Sequence, residues 1–189
     1  MTMVLEITGL EHHLCIKNMD SKNKKISKIL DKYKSSFSSD DLSSLDALLS
    51  NDLGSEKYSL FTDGACEFDN EYKPINAGIG GVIKLKDQTI FSFSENVGVK
   101  TNNEAEYLAL IKGIDLCLEN NISNISIFAD SELIVRQING DYKVKNERMA
   151  ALHKKTHGLL KMLSFWEINH VLRDKNTEAD DLSKQGLGK

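Results

Sequence analysis

The chain has 189 residues, of which 40% are hydrophobic and 28% charged, a composition typical of a globular protein with one main core. Its net charge of -4 argues against binding nucleic acid or anionic membrane by bulk electrostatics, so a polyanion would have to meet a local basic patch. The three cysteines are widely spaced, no stretch approaches the ~20 apolar residues of a membrane span, and the first residues do not resemble a secretory signal. These features predict a cytoplasmic protein.

The N-terminal region differs in composition from the rest of the chain. Residues 21–55 are rich in Ser, Lys and Asp, and their apolar side chains recur at helical spacing in two runs. These runs are Ile26, Ile29, Leu30, Tyr33 and Phe37, and then Leu42, Leu45, Leu48 and Leu49. We predict a small, mainly helical segment over residues 1–54 and a main domain over residues 57–189. The segment would either handle a substrate or partner, or only cover one side of the main domain.

The main domain alternates apolar runs with turn residues. Strands are predicted at residues 58–62, 77–86, 89–97, 122–129 and 165–172. Helices are predicted at residues 103–119, 131–138, 146–163 and 176–185, the first of them capped by Asn102 or Asn103. Three consecutive strands joined by short connections indicate an antiparallel meander, and the later strands are separated by helices. The order predicts an α/β fold with a mixed sheet and helices on its faces.

Two acidic residues follow predicted strands. Asp63 comes directly after the first strand and before Gly64, where we predict that the strand ends and the backbone turns. A carboxylate at a strand end is held in a fixed position, although Asp-Gly is also a common hairpin sequence with a purely structural role. Asp130 ends the fourth strand in the same way, where it, or Ser131, would alternatively cap the following helix.

Two further acids lie on predicted helices. Glu106 shares a helix face with Leu110 and Cys117, so it lies at the top of an apolar stripe where a surface glutamate is not expected. In the closing helix, only one of the adjacent residues Asp180 and Asp181 can face the sheet. We expect the other to be solvated.

Carboxylates from two strand ends and two helices can share one point only if that point holds positive charge, because like charges raise one another's pKa and destabilise the fold. An oxygen-only ligand set without Cys or His selects Mg²⁺ or Mn²⁺ over zinc. Two such ions ~4 Å apart activate a water and stabilise the attacking and leaving oxygens at a phosphodiester. The sequence therefore predicts a site for two Mg²⁺ ions, with Mn²⁺ as an alternative.

Four segments together resemble the signature motifs of a known family. They are Thr62-Asp-Gly-Ala65, Thr101-Asn-Asn-Glu-Ala-Glu-Tyr107, Ala129-Asp-Ser131 and Asn176-Thr-Glu-Ala-Asp180. In their order and in the elements that carry them they resemble type 1 ribonuclease H, over residues 57–189. The resemblance implies a ribonuclease H-like mixed sheet of five strands, three antiparallel and then two parallel, with helices on both faces. It also implies an endonuclease that hydrolyses the RNA strand of RNA–DNA hybrids and leaves 5′-phosphate and 3′-hydroxyl ends.

The resemblance also implies roles for particular residues. The metal-binding catalytic set would be Asp63, Glu106, Asp130 and Asp180. The residues that bind the nucleic acid would include Thr101, at a DNA phosphate, and Asn102 and Asn103, in the minor groove, where the 2′-hydroxyl distinguishes RNA from DNA.

Some positions depart from the commonest pattern of the family. The basic protrusion of some members is absent, and Lys143 and Lys145 would supply a local basic patch, unless they are only part of a solvated face. Arg173 resembles the arginine with which one subgroup helps the product to leave. His170 would otherwise take this role, or it is an ordinary strand histidine.

Two other functions are compatible with the same sequence. One is a nucleic-acid binding module of the same fold that does not cleave, which the intact set of four acids disfavours because a pure binder gains nothing from such a cluster near phosphate. The other is a ribonuclease H domain that acts with a reverse transcriptase. The expected partner is an RNA–DNA hybrid, with no membrane and no obligate protein partner, and we expect a monomer.

Overall fold

The computed structural model describes residues 57–188 and, before them, only Ser38. The predicted N-terminal helical segment, residues 1–54, otherwise lies outside the described residues, so its helices and its boundary stay predictions. No helix in the described part of the chain is long and apolar enough to cross a membrane.

A single sheet organises the described residues. Its strands are β1 (Tyr58–Phe68), β2 (Pro74–Leu85), β3 (Gln88–Gly98), β4 (Asn124–Ala129) and β5 (Phe165–His170). They lie side by side in the order β3-β2-β1-β4-β5. The first three strands pair antiparallel, and β4 and β5 run parallel to β1. This is the mixed five-stranded sheet that the sequence predicted.

Within residues 57–188, four α-helices and one short 3-10 helix connect and cover the strands. They are α1 (Asn102–Glu119), α2 (Glu132–Ile138), α3 (Glu147–Leu160), the 3-10 turn Arg173–Lys175 and α4 (Thr177–Gly186). Neighbouring residues of a strand point to opposite faces of a sheet. On one face Thr62 packs toward α1, and on the other Asp63 contacts α4. The predicted placement of helices on both faces is therefore confirmed.

The main core lies between the sheet and the helices of the first face. Its largest fully buried side chains include Leu60, Ile83, Leu110, Ile127 and Leu160, which come from three strands and two helices. Burying side chains of this size contributes about 1.5–3 kcal/mol each. The core therefore holds α1 rigidly against the middle of the sheet, where the acidic residues lie.

The predicted end of the first strand is wrong. β1 continues past Asp63 to Phe68, and Asp63 and Gly64 pair with Gly80 and Ile79 of β2. Gly64 is needed for close packing and not for a turn, because a Cβ there would lie 2.3 Å from the backbone nitrogen of Glu106. The other elements predicted for the main domain are present, with ends shifted by only a few residues.

The second face depends on another glycine. A Cβ on Gly80 would lie 2.2 Å from the backbone nitrogen of Ser183, so α4 approaches β2 more closely than any other residue would allow. A glycine in β2 thus lets the backbone of α4 approach closely. This contact places the polar side chains of α4 beside Asp63.

Candidate active site

Three carboxylates meet beside the middle of the sheet. Asp63 lies in β1, Glu106 in the second turn of α1 and Asp130 directly after β4. Oxygen atoms from the three side chains all lie within 4.8 Å of one another. The pairing of Thr62 with Ala129 explains part of this convergence, because it places the next residues of the two parallel strands, Asp63 and Asp130, side by side.

Burial makes this group electrostatically unusual. Asp63 is 5% exposed and Glu106 6% exposed. Desolvation raises the pKa of Asp63 to about 6, with the nearby Asp130 and Asp180 charges adding to the rise and a hydrogen bond from Ser183 opposing it. Desolvation also raises the pKa of Glu106 to about 9, again with help from its acidic neighbours. Without a cation, the three residues therefore carry less than their full negative charge at neutral pH.

The chemistry of the three side chains fits a hard divalent cation. They offer only carboxylate oxygens, which is the donor set that Mg²⁺ and Mn²⁺ prefer. A cation at their centre would compensate the charge that burial otherwise forces the group to give up. Asp63, Glu106 and Asp130 are thus the residues that would hold a metal ion.

Asp180 lies close by but is held differently. Arg173 donates to its Oδ1 from Nη2 at 2.6 Å, and Lys184 donates to its Oδ2. Burial acts to raise the pKa of Asp180, but these hydrogen bonds and charges outweigh burial and lower the pKa. As expected, only one of the adjacent acids faces inward, because Asp180 is buried and Asp181 exposed.

Two residues of α4 that contact the acids were missed by the sequence analysis. The buried hydroxyl of Ser183 donates to Asp63 Oδ2, and Lys184 pairs with Asp180. Ser183 and Lys184 lie three and four positions after Asp180, the spacing that shares one helix face. That spacing is the signal that would have found them.

The start of α4 is fixed by Asn176. Its side-chain amide donates to the carbonyl oxygen of Thr62 at 3.0 Å, one residue before Asp63 in β1. The Asn176 side chain is 1% exposed, so this bond is shielded from water. It ties the helix that carries Asp180 directly to the strand that carries Asp63.

The cap of α1 is not the one predicted. Neither Asn102 nor Asn103 caps the helix; the Thr101 hydroxyl and backbone N–H both donate to Glu104 Oε2, at 2.7 and 2.9 Å. The Glu104 backbone N–H returns a bond of 3.3 Å to Thr101 Oγ1. This reciprocal pair is a capping box, which lowers the pKa of Glu104 mainly through the backbone hydrogen bond. Asn102 and Asn103 are exposed in the first turn.

The two predicted basic residues, Lys143 and Lys145, lie on the surface. Lys143 and Lys145 are exposed in the loop 139–146 between α2 and α3, which contains no helix of its own. Arg148 in the first turn of α3 approaches Glu104 Oε1 at 3.7 Å. A role in binding phosphate stays a prediction for Lys143 and Lys145.

Arg173 and His170 both lie beside the acidic residues. Arg173 is the first residue of the 3-10 turn, and its side chain is 74% exposed although its guanidinium pairs with Asp180. His170 is the last residue of β5, and its Nε2 lies 3.2 Å from the carbonyl oxygen of Asp130. The role of either residue in product release stays a prediction.

The sheet order and the position of the acids define the class of protein. A mixed sheet in the order β3-β2-β1-β4-β5, with carboxylates contributed by β1, α1 and the end of β4, is the arrangement of the ribonuclease H-like α/β fold.

Comparison with known proteins identifies the family within this class. Residues 61–186 match the family described as reverse transcriptase-like. The chain is 29% identical over 142 residues to ribonuclease HI of Halobacterium salinarum, a match that covers 75% of this chain and 69% of that protein. The crystal structure of RNase H1 from that archaeon has a TM-score of 0.66 at 27% identity and covers 70% of this chain and 98% of that chain.

Two further similarities support the same family. LC11-RNase H1, isolated from compost and solved in complex with an RNA/DNA hybrid, is 32% identical with a TM-score of 0.63, over 69% of this chain and 96% of that chain. A Mycobacterium tuberculosis protein described as bifunctional is 32% identical over 116 residues, which are 60% of this chain and 32% of that protein. The matched region thus spans about a third of the mycobacterial relative. This chain belongs to the type 1 ribonuclease H family.

Proposed function

We propose that this chain is an endonuclease that hydrolyses the RNA strand of RNA–DNA hybrids and leaves 5′-phosphate and 3′-hydroxyl ends. The observation that carries the proposal is the convergence of Asp63, Glu106 and Asp130 within 4.8 Å, with two of the three buried. An unpaired group of this kind destabilises a fold unless it serves a cation, so it favours catalysis over passive binding. The relative solved with an RNA/DNA hybrid supports the choice of substrate.

We propose two Mg²⁺ ions as the cofactors, with Mn²⁺ as a substitute. Asp63, Glu106 and Asp130 would hold them, and Asp180 would complete the set from the side of α4. Bound divalent ions supply an activated water and charge stabilisation at the scissile phosphate. The contribution of the protein is to hold the carboxylates in fixed positions on rigid elements, and the Ser183 and Asn176 hydrogen bonds support it.

The surroundings of the acids would bind and orient the hybrid. The start of α1 presents the exposed Asn102 and Asn103 together with the positive end of the helix dipole, which favours phosphate. Lys143 and Lys145, which are exposed in the loop 139–146, would contact the sugar-phosphate backbone of the hybrid. Arg173, largely exposed at its pair with Asp180, would reach a phosphate oxygen when the product leaves.

The test is a cleavage assay on a labelled RNA–DNA hybrid in Mg²⁺, with RNA and DNA duplexes as controls. Asp63→Asn removes one of the buried carboxylates and should abolish cleavage, whereas Asp181→Asn changes an exposed acid of α4 and should leave the rate unchanged. Equal cleavage by the wild type and Asp63→Asn would refute the proposal. Two further statements stay predictions. One is that residues 57–189 suffice for catalysis, and the other is that the chain is a cytoplasmic monomer.

A further inference from the structure

A pair of histidines lies apart from the acidic residues. His153 and His157 are four residues apart on α3, so their side chains share one face of the helix. Their Nε2 atoms are 3.1 Å apart and their ring centroids 4.4 Å apart. Both side chains are half-buried, which leaves the pair accessible to a small ion.

A backbone oxygen completes a group of three heteroatoms. The carbonyl oxygen of Gln137, next to the last residue of α2, lies 3.2 Å from His153 Nε2. The contacts fit one shared proton, with His153 Nε2 donating toward this carbonyl and His157 Nε2 presenting its lone pair. His153 Nε2 therefore lies close to both His157 Nε2 and this carbonyl oxygen, where the end of α2 meets α3.

The separation of the two imidazole nitrogens, which fits a hydrogen bond, also fits a metal site. Two imidazole nitrogens bound to the same ion, each at about 2.0–2.1 Å, are about 2.9–3.4 Å apart for bond angles between square-planar and tetrahedral values. The observed separation of 3.1 Å falls in this interval without any movement of α3. A late-transition-metal ion would bind the Nε2 lone pairs of both rings once the proton on His153 Nε2 has moved to its Nδ1.

The protonation state of the pair favours such an ion. Burial lowers the pKa of His157, and the neighbouring His153 and Lys161 lower it further, so this imidazole is neutral at pH 7. Metal ligation requires neutral imidazole. The charge of Lys161 also opposes a bound cation, so replacing this lysine should tighten binding.

We propose that His153 and His157 bind a divalent late-transition-metal ion such as Zn²⁺ or Ni²⁺, with the Gln137 carbonyl oxygen as a third ligand. This site is separate from the acidic residues and selects a different ion, because imidazole suits these metals and carboxylate suits Mg²⁺. The ion would link α2 to α3, the two helices that carry the loop 139–146. It would thereby stiffen the segment that presents Lys143 and Lys145.

The chain contains a built-in reporter for this site. Trp166 is the single tryptophan of the chain, and its ring lies 6.4 Å from that of His157. The full-length protein is first saturated with Mg²⁺ to occupy the acidic residues, and then titrated with Ni²⁺ while tryptophan fluorescence is recorded. We expect saturable quenching with one ion per chain. His153→Gln and His157→Gln should each weaken the half-saturation at least ten-fold, Lys161→Met should strengthen it, and His170→Gln should leave it unchanged.

A second measurement tests the site without any substitution. Imidazole ¹H–¹⁵N spectra of the wild type are recorded without and with Zn²⁺, again in excess Mg²⁺. A joint shift of the Nε2 signals of His153 and His157 supports the site, whereas shifts confined to His12, His13 or His170 overturn it. Absence of saturable quenching in the wild type, or unchanged quenching in folded His157→Gln, overturns it as well.

Discussion

Two sets of carboxylates lie beside the same sheet, one of three residues and one of Asp180 alone, and the pKa shifts found in them have opposite signs. In the first set, Asp63, Glu106 and Asp130 face one another, and burial raises the pKa of Asp63 to about 6 and that of Glu106 to about 9. In the second, Asp180 is also buried, but the hydrogen bonds from Arg173 and Lys184 overcome burial and lower its pKa. All four residues are Asp or Glu, so the neighbouring groups and not the residue type decide the charge of each carboxyl group.

The difference shows which carboxylates need an external cation. Asp180 is already ionised and paired with two cations of the protein itself. The other three acids form no such ion pair among the described residues, so a bound cation would let all three ionise together. We therefore propose that the first set would bind the metal directly, and that Asp180 would complete the site from its edge as an already ionised carboxylate.

The largest expected effect is on cleavage, and it is tested by neutralising one residue of each set and comparing the two losses. Asp130→Asn removes a charge that forms no ion pair among the described residues, and should lower the rate of hybrid cleavage by about 10³-fold or more. Asp180→Asn keeps an oxygen that still accepts a hydrogen bond from Arg173, and should lower the cleavage rate by only about 10–100-fold. Initial rates at saturating Mg²⁺ measure both. Equal losses would show that the two sets have the same role.

The next effect concerns the packing that brings Glu106 to β1. Gly64→Ala places a methyl group 2.3 Å from the backbone nitrogen of Glu106 and should lower the free energy of unfolding by about 3 kcal/mol or more. Gly158→Ala in α3 is the control, because its methyl group meets nothing within 4 Å and should stabilise by up to about 1 kcal/mol. Urea denaturation measures both variants. A neutral Gly64→Ala would mean that α1 can move away from the sheet at little cost.

The pH dependence of stability tests the raised pKa of Glu106, in the first set, directly. Burial raises the pKa of Glu106 from 4.5 to about 9, so between these values the folded state holds a proton that the unfolded state has lost. In EDTA, stability should therefore be highest below the unfolded pKa and fall as pH rises through this window, by up to about 1.4 kcal/mol per pH unit. Glu106→Gln should flatten this slope, and Mg²⁺ should reduce it in the wild type. Denaturation curves from pH 5 to pH 9 measure the slope, and a profile that rises with pH would contradict the assignment.

The smallest expected effect concerns Lys184, one of the two cationic side chains that pair with Asp180. Lys184→Met removes a positive charge beside the acidic residues, so Mg²⁺ should bind more tightly, with a half-saturating concentration about 2–5-fold lower. Lys175→Met is the matched control, because it removes an exposed lysine outside this pair. Cleavage rates against Mg²⁺ concentration measure both variants. An unchanged requirement in Lys184→Met would mean that solvent screens this pair completely.

Local patterns predicted most of the elements but misjudged two details. Helical and strand periodicity located nine elements near their observed positions, and the apolar stripe below Glu106 showed that this glutamate is buried. The prediction failed at Gly64, which was expected to allow a turn but instead allows α1 to pack closely against β1. It also failed at the start of α1, which is capped by Thr101 and not by Asn102 or Asn103. In both cases a short sequence has two structural uses, and only its neighbours in space select one.

The sequence by itself determined the order of the elements, the face of each amphipathic helix and the identity of the acidic residues, because these depend on contacts a few positions apart. Only the tertiary structure decided which acids meet and which are paired. Ser183 and Asp63 are 120 residues apart, and Asn176 and Thr62 are 114 apart, so no local pattern reports these bonds. The charge of each carboxylate depends on its burial and on the cations brought beside it, and both arise only when the sheet and its helices pack together.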